Sequence, residues 1–65
     1  MSIGKRIKFY RIRSGYTQEK LAGCLAVTPQ AISKWENDHA LPDVYIFARM
    51  AKLFDVTCDR LIAEE

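Results

Sequence analysis

TQEKLAGCLAVTPQAISKWEN, residues 17–37, decides the fold of this 65-residue chain. It holds two short helical patterns separated by a break of about three residues. Leu21, Ala22 and Leu25 form an apolar stripe on the first, and Ile32 and Trp35 form one on the second. Spacings of three and four place each set on a single helix face. Val27 lies in the connection, where burying it would fix the angle between the helices. The remaining faces carry Gln18, Thr28, Gln30, Ser33, Lys34 and Asn37, which are hydrogen-bonding groups with one positive charge. The stretch reads as two clamped helices presenting a polar tip.

Working outward, residues 2–14 form a first helix. Ser2 is its N-cap, Ile3, Ile7 and Tyr10 make its inward stripe, and Gly15 stops it. Phe9 and Ile12 fall beside that stripe, either as extra core or as an exposed apolar pair. Thr17 caps the second helix, with Glu19 placed favourably near its positive end. Gly23 and Cys24 fall on the outer side, where the glycine costs about 1 kcal/mol relative to alanine. Thr28 caps the third helix and Pro29 takes its first position, where the missing N–H is harmless. Beyond a loop at residues 39–41, Pro42 and Asp43 open a fourth helix with the stripe Val44, Phe47, Ala48, Ala51 and Phe54. After a short connection Thr57 caps a last helix, with Leu61 and Ile62 packing back. Nowhere does strand-like alternation persist. The expected architecture is all-α, a compact bundle of four to five short helices, with residues 1–65 as one domain.

Composition agrees with a small folded domain: 49% of residues are hydrophobic and 28% charged. The longest apolar run, residues 44–48, is far too short to span a membrane. No apolar segment precedes the first charges, so no secretion signal is expected and the chain is assigned to the cytoplasm. Cys24 and Cys58 form no spaced pair, and with His39 as the single histidine a zinc site lacks ligands. Free thiols in a reducing compartment are expected. Net charge is +2, but residues 1–34 hold seven basic side chains (Lys5, Arg6, Lys8, Arg11, Arg13, Lys20, Lys34) against one acidic, Glu19. Residues 35–65 hold three basic and seven acidic. A basic half that contains the polar tip suits a polyanion.

The major groove of B-form DNA is about 12 Å wide and admits one α-helix. A helix entering it needs polar groups at its N-terminal end and an apolar back to anchor it, and the third helix has both. Gln30 can pair with adenine through its amide, Lys34 can donate to guanine or to a phosphate, and Ser33 lies between them. Gln18, Thr28 and Asn37 sit at helix ends, where side chains and backbone N–H groups suit phosphate oxygens. No nucleophile–base pair, carboxylate dyad, phosphate loop or metal cluster is present, so no catalytic residue, cofactor or small-molecule site is expected.

Gln18, Leu21, Ala22, Leu25, Val27, Ile32 and Trp35, followed by SKWENDHALPD, resemble the helix-turn-helix of the Cro/cI-like (XRE-type) regulator family. The likeness extends from IGKRIKFYR to VTCDRLI. The resemblance implies base-edge reading by Pro29, Gln30, Ser33 and Lys34, and phosphate contacts by Thr17, Gln18, Thr28 and Asn37. It also implies a salt bridge between Arg11 and Glu36, and a homodimer on a palindromic operator. The expected dimer surface lies around Cys58, Arg60 and Leu61. Three residues depart from the family pattern: Ala26 in the turn, and Asp38 and Asp55 where helices usually end on glycine. Some strain or altered turn geometry is expected there, not a different fold. The other reading open at this point is a protein-interaction module using Phe9, Ile12 and Tyr45.

Overall fold

The computed structural model describes residues 1–63. Five helices follow in order: α1 Ile3–Arg13, α2 Gln18–Leu25, α3 Pro29–Glu36, α4 Val44–Phe54 and α5 Cys58–Ile62. No strand occurs among the described residues, so the all-α expectation holds. Every helix starts on a short polar side chain that accepts from a backbone N–H in the first turn: Ser2, Thr17, Thr28, Asp43 and Thr57. Each such cap satisfies a donor the helix leaves open, worth about 1 kcal/mol.

Ile7, Leu21, Leu25, Ile32, Met50 and Leu61 are fully buried, and Tyr10, Ala22, Trp35, Ala51 and Phe54 complete the core. All five helices contribute to it. Burying each large side chain contributes about 1.5–3 kcal/mol. Tyr10 stacks with Phe54 at 6.5 Å, which joins α1 to the end of α4. Arg49 donates to the Cys24 carbonyl at 3.0 Å, placing a cation at the negative end of α2.

Three details differ from the expected layout. Val44 is 72% exposed and Ala48 is exposed, while Met50 is fully buried. The inward stripe of α4 is therefore Phe47, Met50, Ala51 and Phe54, rotated from the expected one. Val27 is half-buried, so it packs against the core rather than inside it. Ile62 is 50% exposed and does not pack back with the fully buried Leu61, and Phe9 and Ile12, for which core and surface were both open, are exposed.

At the three departures the turn geometry is the one glycine favours, so of the two expected outcomes the structure shows strain. Ala26, Asp38 and Asp55 adopt φ of 58°, 61° and 58°, the left-handed region. For alanine this costs roughly 1–2 kcal/mol. Ala26 accepts it because the turn delivers the Val27 N–H to the Ala22 carbonyl at 3.0 Å, closing α2.

Candidate nucleic-acid interface

α3 divides cleanly. Ile32, Trp35 and Glu36 point into the protein, while Gln30 and Lys34 are exposed and Ser33 is half-exposed. Gln30, Ser33, Lys34 and Asn37 stand at spacings of three, four and seven and share one outward face. Pro29 is half-buried at the head of the helix. Thr28 is exposed, and its hydroxyl accepts from the Ala31 N–H at 3.2 Å. Thr17 does the same for the Lys20 N–H at 3.0 Å. Two helix N-termini, with their positive dipole ends, thus belong to the same substructure.

Gln18 and Asn37 have partners inside the protein. The Gln18 amide donates to Glu36 Oε1 at 3.0 Å, and the Asn37 amide donates to Ser33 Oγ at 3.4 Å. The Gln18 carbonyl and the second amide N–H of each residue are left for other contacts.

Arg11 and Glu36 meet below this face. Arg11 Nε donates to Glu36 Oε2 at 2.5 Å, and its terminal nitrogen donates to Oε1 at 3.2 Å. Another terminal nitrogen of Arg11 donates to the Tyr16 carbonyl at 2.9 Å. The side chains are only 10% and 3% exposed. Glu36 therefore gathers Arg11 from α1 and Gln18 from α2, so one carboxylate at the end of α3 sets the relation of three helices.

Sequence reading missed Asp38. Its carboxylate accepts from Ser2 Oγ at 2.6 Å and from the Gly4 N–H at 2.9 Å, tying the start of α1 to the residue pair that ends α3. The left-handed backbone that sequence flagged as a departure is what aims the side chain at α1; the partners, 36 and 34 residues away, left no local signal. Those two hydrogen bonds, the Ser2 one foremost, hold the Asp38 carboxyl below its ordinary value near about 4. A folded value lowered in this way gives stability that is present above the unfolded value and lost as pH falls through the folded one. Asp38→Asn is therefore expected to be less stable than the parent at pH 6. The gap should close as pH falls below about 4. Urea midpoints across that range test it; a gap independent of pH would remove the carboxylate from the account.

Burial also trims the basic half. Arg6 and Arg11 are 7% and 8% exposed, leaving Lys5, Lys8, Arg13, Lys20 and Lys34 as its exposed cations. No helix among the described residues is long and apolar enough to cross a membrane.

A pair of short helices joined by a tight left-handed turn, the second with a polar outer face, defines a helix-turn-helix protein. A helix-turn-helix family model matches residues 7–61. The full chain is 34% identical to the HTH-type transcriptional regulator ImmR of Bacillus subtilis (strain 168), covering 51% of that protein. It is 35% identical to the HTH-type transcriptional activator BcrR of Enterococcus faecalis, covering 32% of it. Against the uncharacterized HTH-type transcriptional regulator YazB of Bacillus subtilis (strain 168), identity is 31% over 95% of this chain and 90% of that one. The crystal structure of the P22 c2 repressor in complex with synthetic operator matches with a TM-score of 0.92 at 25% identity, covering 100% of this chain and 98% of that one. The chain belongs to the Cro/cI-type (XRE) helix-turn-helix family, a family of DNA-binding transcriptional regulators. It spans about half the length of ImmR and a third of BcrR.

Proposed function

We propose that residues 1–65 form one domain that reads double-stranded DNA for a transcriptional regulator, a repressor binding a palindromic operator as a homodimer in the nucleoid. The outward face of α3 carries the reading: Gln30 and Lys34 are exposed, with the half-exposed Ser33 between them, on a helix whose opposite side is locked into the core by Ile32 and Trp35. In this reading Gln30 pairs with adenine, Lys34 donates to guanine or a phosphate, Ser33 contacts either, and Pro29 touches a thymine methyl. Thr17, Gln18, Thr28 and Asn37 hold phosphates and fix the register. Repression is supported by the likeness, over all of the given chain, to a repressor crystallised with operator DNA.

Gln30→Ala and Lys34→Ala are each expected to weaken binding to the selected operator by about 1–3 kcal/mol, with thermal unfolding unchanged. Selection from a random duplex pool supplies that operator and its symmetry. Equal losses on operator and random duplex would reassign both residues to phosphate contact.

The expected dimer surface needs one change. Leu61 is fully buried, so it belongs to the core and not to a contact between copies. An apolar groove of about 220 Å³ lies beside it, lined by Ile3, Leu41, Pro42, Val44, Phe47 and Ile62. Leu41, Val44 and Ile62 are 66%, 72% and 50% exposed. A second copy seated there would cover side chains that water now meets. Val44→Glu is expected to lower affinity for a two-half-site duplex by about tenfold or more, while leaving single half-site binding unchanged. An unaltered ratio between the two duplexes would exclude this groove.

A further inference from the structure

We propose that the outer face of α1 docks an acidic, amphipathic segment of a protein partner. Phe9 and Ile12 are 49% and 59% exposed, although both are large apolar side chains in a chain with a small core. The helical period puts Ile12, Lys5 and Phe9 along the middle of the face opposite Ile7, Tyr10 and Arg11, with Lys8 on one flank and Arg13 on the other. Lys5, Lys8 and Arg13 are exposed, and among the described residues their side-chain nitrogens make no hydrogen bond or ion pair. Phe9 makes an edge-to-face contact with Tyr10 at 5.1 Å, so one side of its ring rests on the protein and the other meets water.

Phe9 and Ile12 form an apolar pair with Lys5 one turn before it and Lys8 and Arg13 on its flanks. An apolar centre with a charged rim is the anatomy of a protein interface, and aromatic anchors carry much of its binding energy. The rim here is cationic on both flanks, so its complement carries carboxylates around one or two apolar side chains. A nucleic-acid backbone would satisfy the cations but leave Phe9 and Ile12 against water. A bilayer would need a wider apolar strip than two side chains on an eleven-residue helix provide. DNA reading by α3 uses none of these residues, so this proposal stands or falls independently of it.

The test titrates the 15N-labelled chain with a synthetic peptide bearing leucines at helical spacing flanked by glutamates, and with its counterpart in which lysine replaces each glutamate. Saturable shift changes confined to Lys5, Lys8, Phe9, Ile12 and Arg13 are expected with the acidic peptide alone. Phe9→Ser combined with Ile12→Ser keeps every cation, and is expected to weaken that binding by about tenfold or more while circular dichroism and random-duplex binding stay unchanged. Changes centred on Gln30 and Lys34, equal binding of the lysine peptide, or undiminished binding by the double variant would each overturn the proposal. So would capture by phosphatidylglycerol vesicles that the double variant loses, which assigns the face to a membrane.

Discussion

Glu36→Ala is expected to cost about 3–5 kcal/mol, because it strands the Arg11 guanidinium in a site closed to water. Arg11 would keep its contact with the Tyr16 carbonyl but lose both hydrogen bonds to the carboxylate, and Gln18 would lose its acceptor. A domain of this size has roughly 3–10 kcal/mol in total, so the loss is a large fraction of its stability and should lower the denaturation midpoint steeply. The pair itself need not be a net stabiliser, since desolvating two charges offsets much of their attraction. A double change, Arg11→Leu with Glu36→Leu, is therefore expected to be more stable than Glu36→Ala alone. Denaturant midpoints for the two singles and the double separate the terms. A loss below about 1 kcal/mol for Glu36→Ala would mean that water reaches Arg11 and that the pair behaves as a surface bridge.

The second large effect is at Gly4, where α1 rests against the end of α3. A Cβ there would overlap the Trp35 carbonyl oxygen, and would lie 2.6 Å from Asp38 Oδ1 and 2.8 Å from the Glu36 carbonyl oxygen. Two of these three atoms are backbone and cannot rotate away. Gly4→Ala should therefore push α1 off α3, with an overpacking cost of about 1–3 kcal/mol or more. Alanine's better helix propensity returns only about 1 kcal/mol, so the clash wins. Gly23→Ala is the control. Nothing lies within 4 Å of its added carbon, and the propensity gain should appear as a net stabilisation of up to about 1 kcal/mol. Thermal unfolding of the pair decides: if both variants gain stability, the close approach of α1 to α3 is wrong.

Local signals were easy to read because their physics is local. Ser2, Thr17, Thr28 and Thr57 bond to N–H groups three residues away, so cap positions follow from sequence order. The outward grouping of Gln30, Ser33 and Lys34 follows from the helical period once Ile32 and Trp35 are taken as the inner face. α4 resisted the same logic. Its apolar residues fit two overlapping stripes, one led by Val44 and Ala48 and the other containing Met50, and periodicity alone cannot choose. The choice comes from where α2 and α5 lie, which leaves Val44 facing water and Met50 with no exposure.

Charge was the least legible property. Counting basic residues treats Arg6 and Arg11 as surface cations, yet both are buried, one of them as half of the ion pair that fixes three helices. That ion pair was reachable through family resemblance and not through pattern, since its partners stand 25 residues apart.

Residues 17–37, taken alone, determined two capped helices, a tight turn and a polar outer face, because helix period and capping act over three or four residues. Only the tertiary structure decided how that unit is held. Gly4 against the Trp35 carbonyl, Asp38 on Ser2, and Glu36 between Arg11 and Gln18 all join residues far apart in the chain, and such contacts exist only once the helices have packed.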